Sequence, residues 1–161
     1  MATISRECLG LAAEYAVASE LCRRNVYAQL TLGLRKRTDI LVETGRGSVL
    51  KIQVKGKQGP SWPNCVGIYG QDVALVLVDF ARRGDADRPD FYVLAVDDWR
   101  QYLNVALQAE IAFGKVLIDN ENVPVWPGQV NKYGQPYKGC DIKPSQVLQY
   151  KEHWVTITGV A

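Results

Sequence analysis

The sequence is poor in the groups that most often do chemistry unaided. It holds one histidine, His153, far from any other candidate, which argues against a Ser-His or Cys-His nucleophilic pair and fits a surface or helix-end residue. The four cysteines, Cys8, Cys22, Cys65 and Cys140, show no C-x-x-C spacing. That pattern disfavours structural zinc and favours free buried thiols in a reducing compartment. No apolar run approaches the roughly 20 residues that span a bilayer, and the region after Met1 lacks the basic stretch and apolar core of a signal peptide. A cytoplasmic protein is therefore expected. Repeats, linkers and low-complexity segments are also missing. With 47% hydrophobic and 22% charged residues, the 161-residue chain has the composition of an ordinary globular protein, and residues 1–161 are expected to form a single domain.

What is present is unevenly distributed. Net charge is +2, yet residues 1–60 hold ten Lys/Arg against five Asp/Glu, whereas residues 61–161 hold nine against twelve. The basic part suits an anionic partner and equally a solvated basic face. Within it, Thr38 to Glu43 and Val49 to Lys55 flank a Gly45-Arg46-Gly47-Ser48 turn and read as a hairpin. Alternation along the second strand puts Leu50, Ile52 and Val54 on one face and Lys51, Gln53 and Lys55 on the other. If the hairpin forms, Asp39 meets Gln53 and Lys55 across adjacent strands, gathering a carboxylate, an amide and an ammonium in one patch.

The surrounding elements follow from periodicity and end signals. Ser5 can cap a helix running from Arg6 to about Arg24, on which Glu14 stands at the edge of the apolar face beside Gly10. Val26 to Leu32 is a short β-prone run. Arg35-Lys36-Arg37 is the densest positive cluster and is suited to phosphate. Gly56 to Asn64 reads as a loop in which Lys57 and Trp62 offer phosphate attraction and a stacking surface. Asp72 to Phe80 has the continuous apolar pattern of a strand buried on both faces, the expected sheet centre. Asp90 to Val96 reads as the next strand, and Asp97 or Asp98 as the cap of a helix reaching Ala112. Lys115 to Cys140 is expected to be irregular apart from a short strand at Lys115 to Ile118. A helix over Ser145 to His153 and an edge strand over Trp154 to Thr158 complete the reading, a mixed α/β sheet with helices on its faces.

The order of these elements, with Glu14 on the first helix, Asp39 on a strand and Gln53-Val54-Lys55 on the next, resembles the PD-(D/E)xK phosphodiesterase superfamily, whose fold is restriction-endonuclease-like. Within it the chain is similar to variants with Q-x-K in place of D/E-x-K, as in some intron homing endonucleases. The resemblance covers roughly Arg6 to Lys57 by motif and Asp72 to Leu103 by element order, and Thr38 stands where the name-giving proline would be. It implies a Mg²⁺-dependent endodeoxyribonuclease, with Mn²⁺ as a substitute cation. Asp39, the Gln53 amide oxygen and the Val54 carbonyl would then be metal ligands, Lys55 would activate or orient the attacking water, and Glu14 would hold a metal-bound water. An amide at Gln53 removes one negative charge from the ligand set, so weaker metal affinity is expected, and a nuclease-fold protein that binds DNA without cutting it, or an assembly subunit, is the alternative. DNA is the expected partner. A homodimer would supply two sites for a double-strand break, although no residue specifies one.

Overall fold

The computed structural model of the chain describes residues 4–33, 36–44 and 47–159. Helix α1, Arg6–Arg23, begins where the sequence places it, the Ser5 hydroxyl accepting from the Cys8 N–H at 3.2 Å and supplying a partner to an otherwise unpaired first-turn amide. Strands β1 (Ala28–Leu30), β2 (Ile40–Glu43) and β3 (Val49–Lys57) follow. The expected hairpin is present, Ile40 pairing with Ile52 and Glu43 with Val49 in antiparallel register.

A short strand, β4 (Trp62–Cys65), precedes β5 (Val73–Asp79) and β6 (Asp90–Ala95). The central sheet has the order β1-β2-β3-β5-β6, with β3 and β5 parallel and the other neighbours antiparallel. A parallel pair needs a long crossover, and the segment containing β4 provides it. β3 is therefore the middle strand, and β5 lies next to it. On one face Ala13, Val17 and Leu21 of α1 bury Ile40, Ile52, Val76 and Phe91. On the other, Trp62, Leu75, Leu77, Tyr92, Trp99 and Leu103 form a second core beneath helix α2 (Val96–Ala106). The architecture is thus a mixed α/β sheet with helices on both faces. Asp98 serves α2 from inside its first turn, accepting from the Ala95 N–H at 2.8 Å. The expected continuation to Ala112 is a separate helix, α3 (Gln108–Ala112).

Four expectations are corrected by burial. Gly56 to Asn64 is not all loop: β3 runs on to Lys57, and β4 pairs with a late strand at Cys140–Ile142. The stretch expected to be irregular contains β7 (Leu117–Ile118), β8 (Pro124–Val130), β9 (Pro136–Lys138) and β10 (Cys140–Ile142), the first three forming their own antiparallel sheet. Ser145 to His153 forms two 3₁₀ turns, Pro144–Gln146 and Leu148–Tyr150. Val147 and Tyr150 are the buried pair there, and a spacing of three suits the 3₁₀ repeat. Trp154 to Thr158 is not a strand. It contains a helical turn, α4 (Val155–Thr158), because Trp154 and Ile157 are both buried and must share a side.

The thiols divide. Cys65 and Cys140 are buried and Cys8 and Cys22 exposed, all four being free, so the expectation of buried thiols holds for only two. Burial pushes the Cys65 and Cys140 thiols up to about 12, which leaves them protonated and unreactive. His153 sits at the surface within 3.4 Å of the Thr156 hydroxyl. Among the described residues no helix is long and apolar enough to cross a membrane.

Candidate active site

The site forms where two neighbouring strands differ in length. β2 starts at Ile40, opposite Ile52, whereas β3 continues five residues further, to Lys57. Along β3 backbone groups point alternately to either side. The Lys51 N–H bonds to the Asp72 carbonyl at 2.8 Å on the β5 side, and the Ile52 carbonyl accepts from the Asp39 N–H at 2.9 Å on the β2 side. Val54, two residues on, therefore turns both its N–H and its carbonyl toward β2 after β2 has ended. Its N–H would be an open edge donor. Asp39 fills the gap: its Oδ2 accepts from the Val54 N–H at 2.7 Å. The Asp39 main chain is fixed too, its carbonyl accepting from the Thr31 N–H at 2.9 Å, and Thr31 Oγ1 donates to the Thr38 carbonyl at 2.7 Å.

Glu14 arrives from the other layer because Gly56 has no side chain. A Cβ built on Gly56 would lie 2.9 Å from the Ala13 Cβ and 3.1 Å from the Leu9 carbonyl oxygen. α1 thus crosses β3 at van der Waals contact, and the residue after Ala13 is Glu14. Burial raises the Glu14 carboxyl above its ordinary value, and the neighbouring Asp39 charge raises it further. Burial also raises Asp39, against the opposing effects of the Val54 N–H and the Lys55 ammonium. Two half-buried carboxylates thus repel each other. Among the described residues no Lys or Arg nitrogen lies within 4.0 Å of either one. In particular, no ion pair joins Asp39 to Lys55. Lys55 is itself half-buried and, among the described residues, has no carboxylate within 4.0 Å, its charge being felt by Asp39 and by the Cys65 thiol.

Gln53 is buried, and its side-chain amide makes no hydrogen bond to another described residue. It lines a cleft of about 430 Å³ together with Lys36, Arg37, Lys51, Tyr69 and Gln71. The loop that forms the far wall is pinned at Gly67, whose φ of +72 and whose contact with Trp99 both exclude a side chain. Arg37 bridges to that wall, its guanidinium 4.9 Å from the centre of the Tyr69 ring and hydrogen-bonded to the Gly67 carbonyl at 3.4 Å. It also pairs with Glu121 at 2.9 Å.

The structure thus brings Asp39 together with Glu14, Val54 and Lys55, while Gln53 lines the adjoining cleft with Lys36 and Arg37; Arg35 lies outside the described residues. Two expectations are corrected. Lys57 is 3% exposed, paired with Asp79 at 2.6 Å and bonded to the Gly59 carbonyl at 3.0 Å. Trp62 is 1% exposed and donates its Nε1–H to the Val78 carbonyl at 3.0 Å. Both are interior, with the Lys57 ammonium 4.9 Å from the centre of the Trp62 ring, so neither offers a surface to a substrate. Sequence reading missed Lys51, Tyr69 and Gln71 as cleft residues. Lys51 was detectable from its alternation with Gln53. The loop residues carry no such signal, because only tertiary packing turns them toward β3.

The set is chemically coherent for a hard cation. Such ions prefer oxygen ligands and retain several waters. The Asp39 carboxylate and the Val54 carbonyl, turned to the same side of β3, and the Gln53 amide in the adjoining cleft, with no partner among the described residues, are the oxygen donors available, beside an ammonium and a second carboxylate. No protein-family model matches the chain, and no curated protein sequence does. Among solved structures the chain is similar to a bacterial homing endonuclease, I-Ssp6803I, at 19% identity and a TM-score of 0.47, over 95% of this chain and 92% of that one.

Proposed function

We propose that the protein is a metal-dependent DNA endonuclease of the PD-(D/E)xK type that hydrolyses phosphodiester bonds. The observation that carries this reading is the pair of half-buried carboxylates, Glu14 and Asp39, which repel each other and have no cationic partner within 4.0 Å among the described residues. Carboxylates so placed are expensive unless a cation completes them. Asp39, the Gln53 amide oxygen and the Val54 carbonyl would hold Mg²⁺ or Mn²⁺, which when bound would supply charge to a phosphate and acidify water. The chain's own residues supply the remainder. Lys55 offsets negative charge developing on the phosphate and orients the attacking water, while Glu14 accepts a hydrogen bond from a water in the gap. Lys36, Arg37 and Lys51 line the cleft that receives the phosphodiester backbone.

The test is nicking of supercoiled plasmid in Mg²⁺ or Mn²⁺ by the wild type, Asp39→Asn and Lys55→Ala. Loss of activity by at least about 100-fold in each variant is expected. Cleavage that survives both substitutions removes the site assignment. Salt-sensitive DNA binding with no turnover in the wild type would mean instead that Gln53 has left the site inactive.

A further inference from the structure

The β8–β9 ribbon has features that the fold does not require. Its strands pair Val125 with Lys138, Trp126 with Tyr137 and Val130 with Pro136, with residues 127–129 bulged out of register, and between residues 127 and 136 every residue is exposed except half-buried Asn131. A two-stranded ribbon wet on both faces gains little from burial and is marginal alone. This one is nevertheless held firmly at both ends. At the tip the Asn131 side chain accepts from the Tyr133 and Gln135 N–H groups at 2.9 and 3.1 Å, and the Asn131 N–H donates to the Gln135 carbonyl at 2.8 Å. At the root Trp126 Nε1–H donates to the Gly139 carbonyl at 2.8 Å, and the Tyr137 hydroxyl bonds to Asn64. Gly139 lies 3.0 Å by its virtual Cβ from the Cys65 carbonyl oxygen, at a φ of +103. The root is thereby fixed to β4, which follows the catalytic strand β3 after four residues.

The composition of the ribbon is equally selective. Residues 123–140 hold Lys132 and Lys138 and no Asp or Glu, inside a part of the chain where acids outnumber bases twelve to nine. Its exposed side chains include Gln129, Val130, Lys132, Tyr133, Gln135 and Lys138. Two strands about 4.8 Å apart, with their side chains, match the roughly 12 Å width of the DNA major groove. Amides and lysines are the side chains that meet adenine and guanine edges there. We propose that the β8–β9 ribbon enters the major groove of duplex DNA and reads sequence, Gln129 and Gln135 contacting base edges and Lys132 a base or the adjoining phosphate. The choice of DNA as the partner rests on the nuclease reading above.

The experiment is selection of bound duplexes from a randomised pool by the full chain in EDTA, where cleavage cannot contribute. The wild type is expected to enrich a motif and to prefer it over scrambled duplex, with each read base pair worth on the order of 5- to 100-fold. Gln129→Ala/Lys132→Ala/Gln135→Ala is expected to melt within about 2 °C of the wild type, because these side chains bury nothing, and to lose preference at two or more positions. Gln129→Arg should shift one preferred position from adenine toward guanine, a gain that misfolding cannot imitate. Enrichment of the unchanged motif by both variants, enrichment of no motif by the wild type, or tighter binding of single-stranded RNA than of duplex each overturns the proposal. A wild type that selects a motif in EDTA but never cuts it in Mg²⁺ or Mn²⁺ refutes the nuclease reading and supports the ribbon's role.

Discussion

Replacing Gly56 with alanine should separate α1 from β3. The added methyl would stand 2.9 Å from the Ala13 Cβ and 3.1 Å from the Leu9 carbonyl oxygen, against about 3.5–4.0 Å for carbon atoms at their optimal separation. Neither obstacle is a flexible side-chain end, so the helix must move by several tenths of an ångström. Gly56 does not have a positive φ, so backbone strain does not enter and the cost is overpacking alone, about 1–3 kcal/mol. For a chain of this length that lowers the melting temperature by about 3 to 10 °C. Glu14 rides on the displaced helix, so its repulsion with Asp39 should weaken and nicking activity should fall as well. The assay is urea denaturation of wild type, Gly56→Ala, Ala13→Gly and the double variant. Ala13→Gly alone costs about 1 kcal/mol as a helix glycine. In the double variant the methyl clash is gone while the carbonyl contact remains, so the two effects should sum to less than their separate values by at least about 0.5 kcal/mol. A neutral Gly56→Ala, or strictly additive effects, would show that α1 and β3 are not in this contact.

Other outcomes follow from the site and its neighbours. The Asp39 and Glu14 carboxyls are raised above their ordinary values, so the folded state binds more protons and metal-free stability should fall as pH rises through that window. Calorimetric melting should then show a Mg²⁺-induced rise that is larger at pH 8 than at pH 5 and is lost in Asp39→Asn; a pH-independent rise would place the cation elsewhere. Lys57→Met leaves Asp79 with no ion-pair partner in an environment where it is only 13% exposed, and should cost about 3–5 kcal/mol by urea titration. A cost under 1 kcal/mol would return Lys57 to the surface role expected from sequence.

The hairpin was legible because side-chain alternation and turn chemistry are local: Lys51, Gln53 and Lys55 could be placed on one face before any contact was known. α1 was legible for the same reason, from Ser5 and an uninterrupted small-residue face. What escaped were features decided by distant partners. Gly56 looked like a strand breaker, yet in the fold it is where a helix makes contact, which a glycine in sequence does not announce. Lys57 and Trp62 have the chemistry of a nucleic-acid surface and were read so. Only Asp79 and the Val78 carbonyl, on a strand more than fifteen residues away, draw them inside. In the stretch expected to be irregular, Pro124, Pro127 and Pro136 concealed strands, all three lying within β8 or β9. Pro127 and Pro136 are exposed on an isolated ribbon, where a missing ladder donor is tolerated.

The bond from the Val54 N–H to Asp39 also bears on self-association. Among the described residues no strand pairs with the middle strand on its β2 side beyond Ile52, and an unpaired run of this kind is a template on which a second chain can stack as an additional strand. The Asp39 carboxylate occupies the first donor of that run and sets a charge against any incoming backbone. Asp39→Ala removes both protections at once, whereas Asp39→Asn keeps an acceptor for Val54. An inactive protein made by the alanine change should precipitate more readily on heating than one made by the asparagine change, and loss of activity in the former would confound lost chemistry with lost solubility.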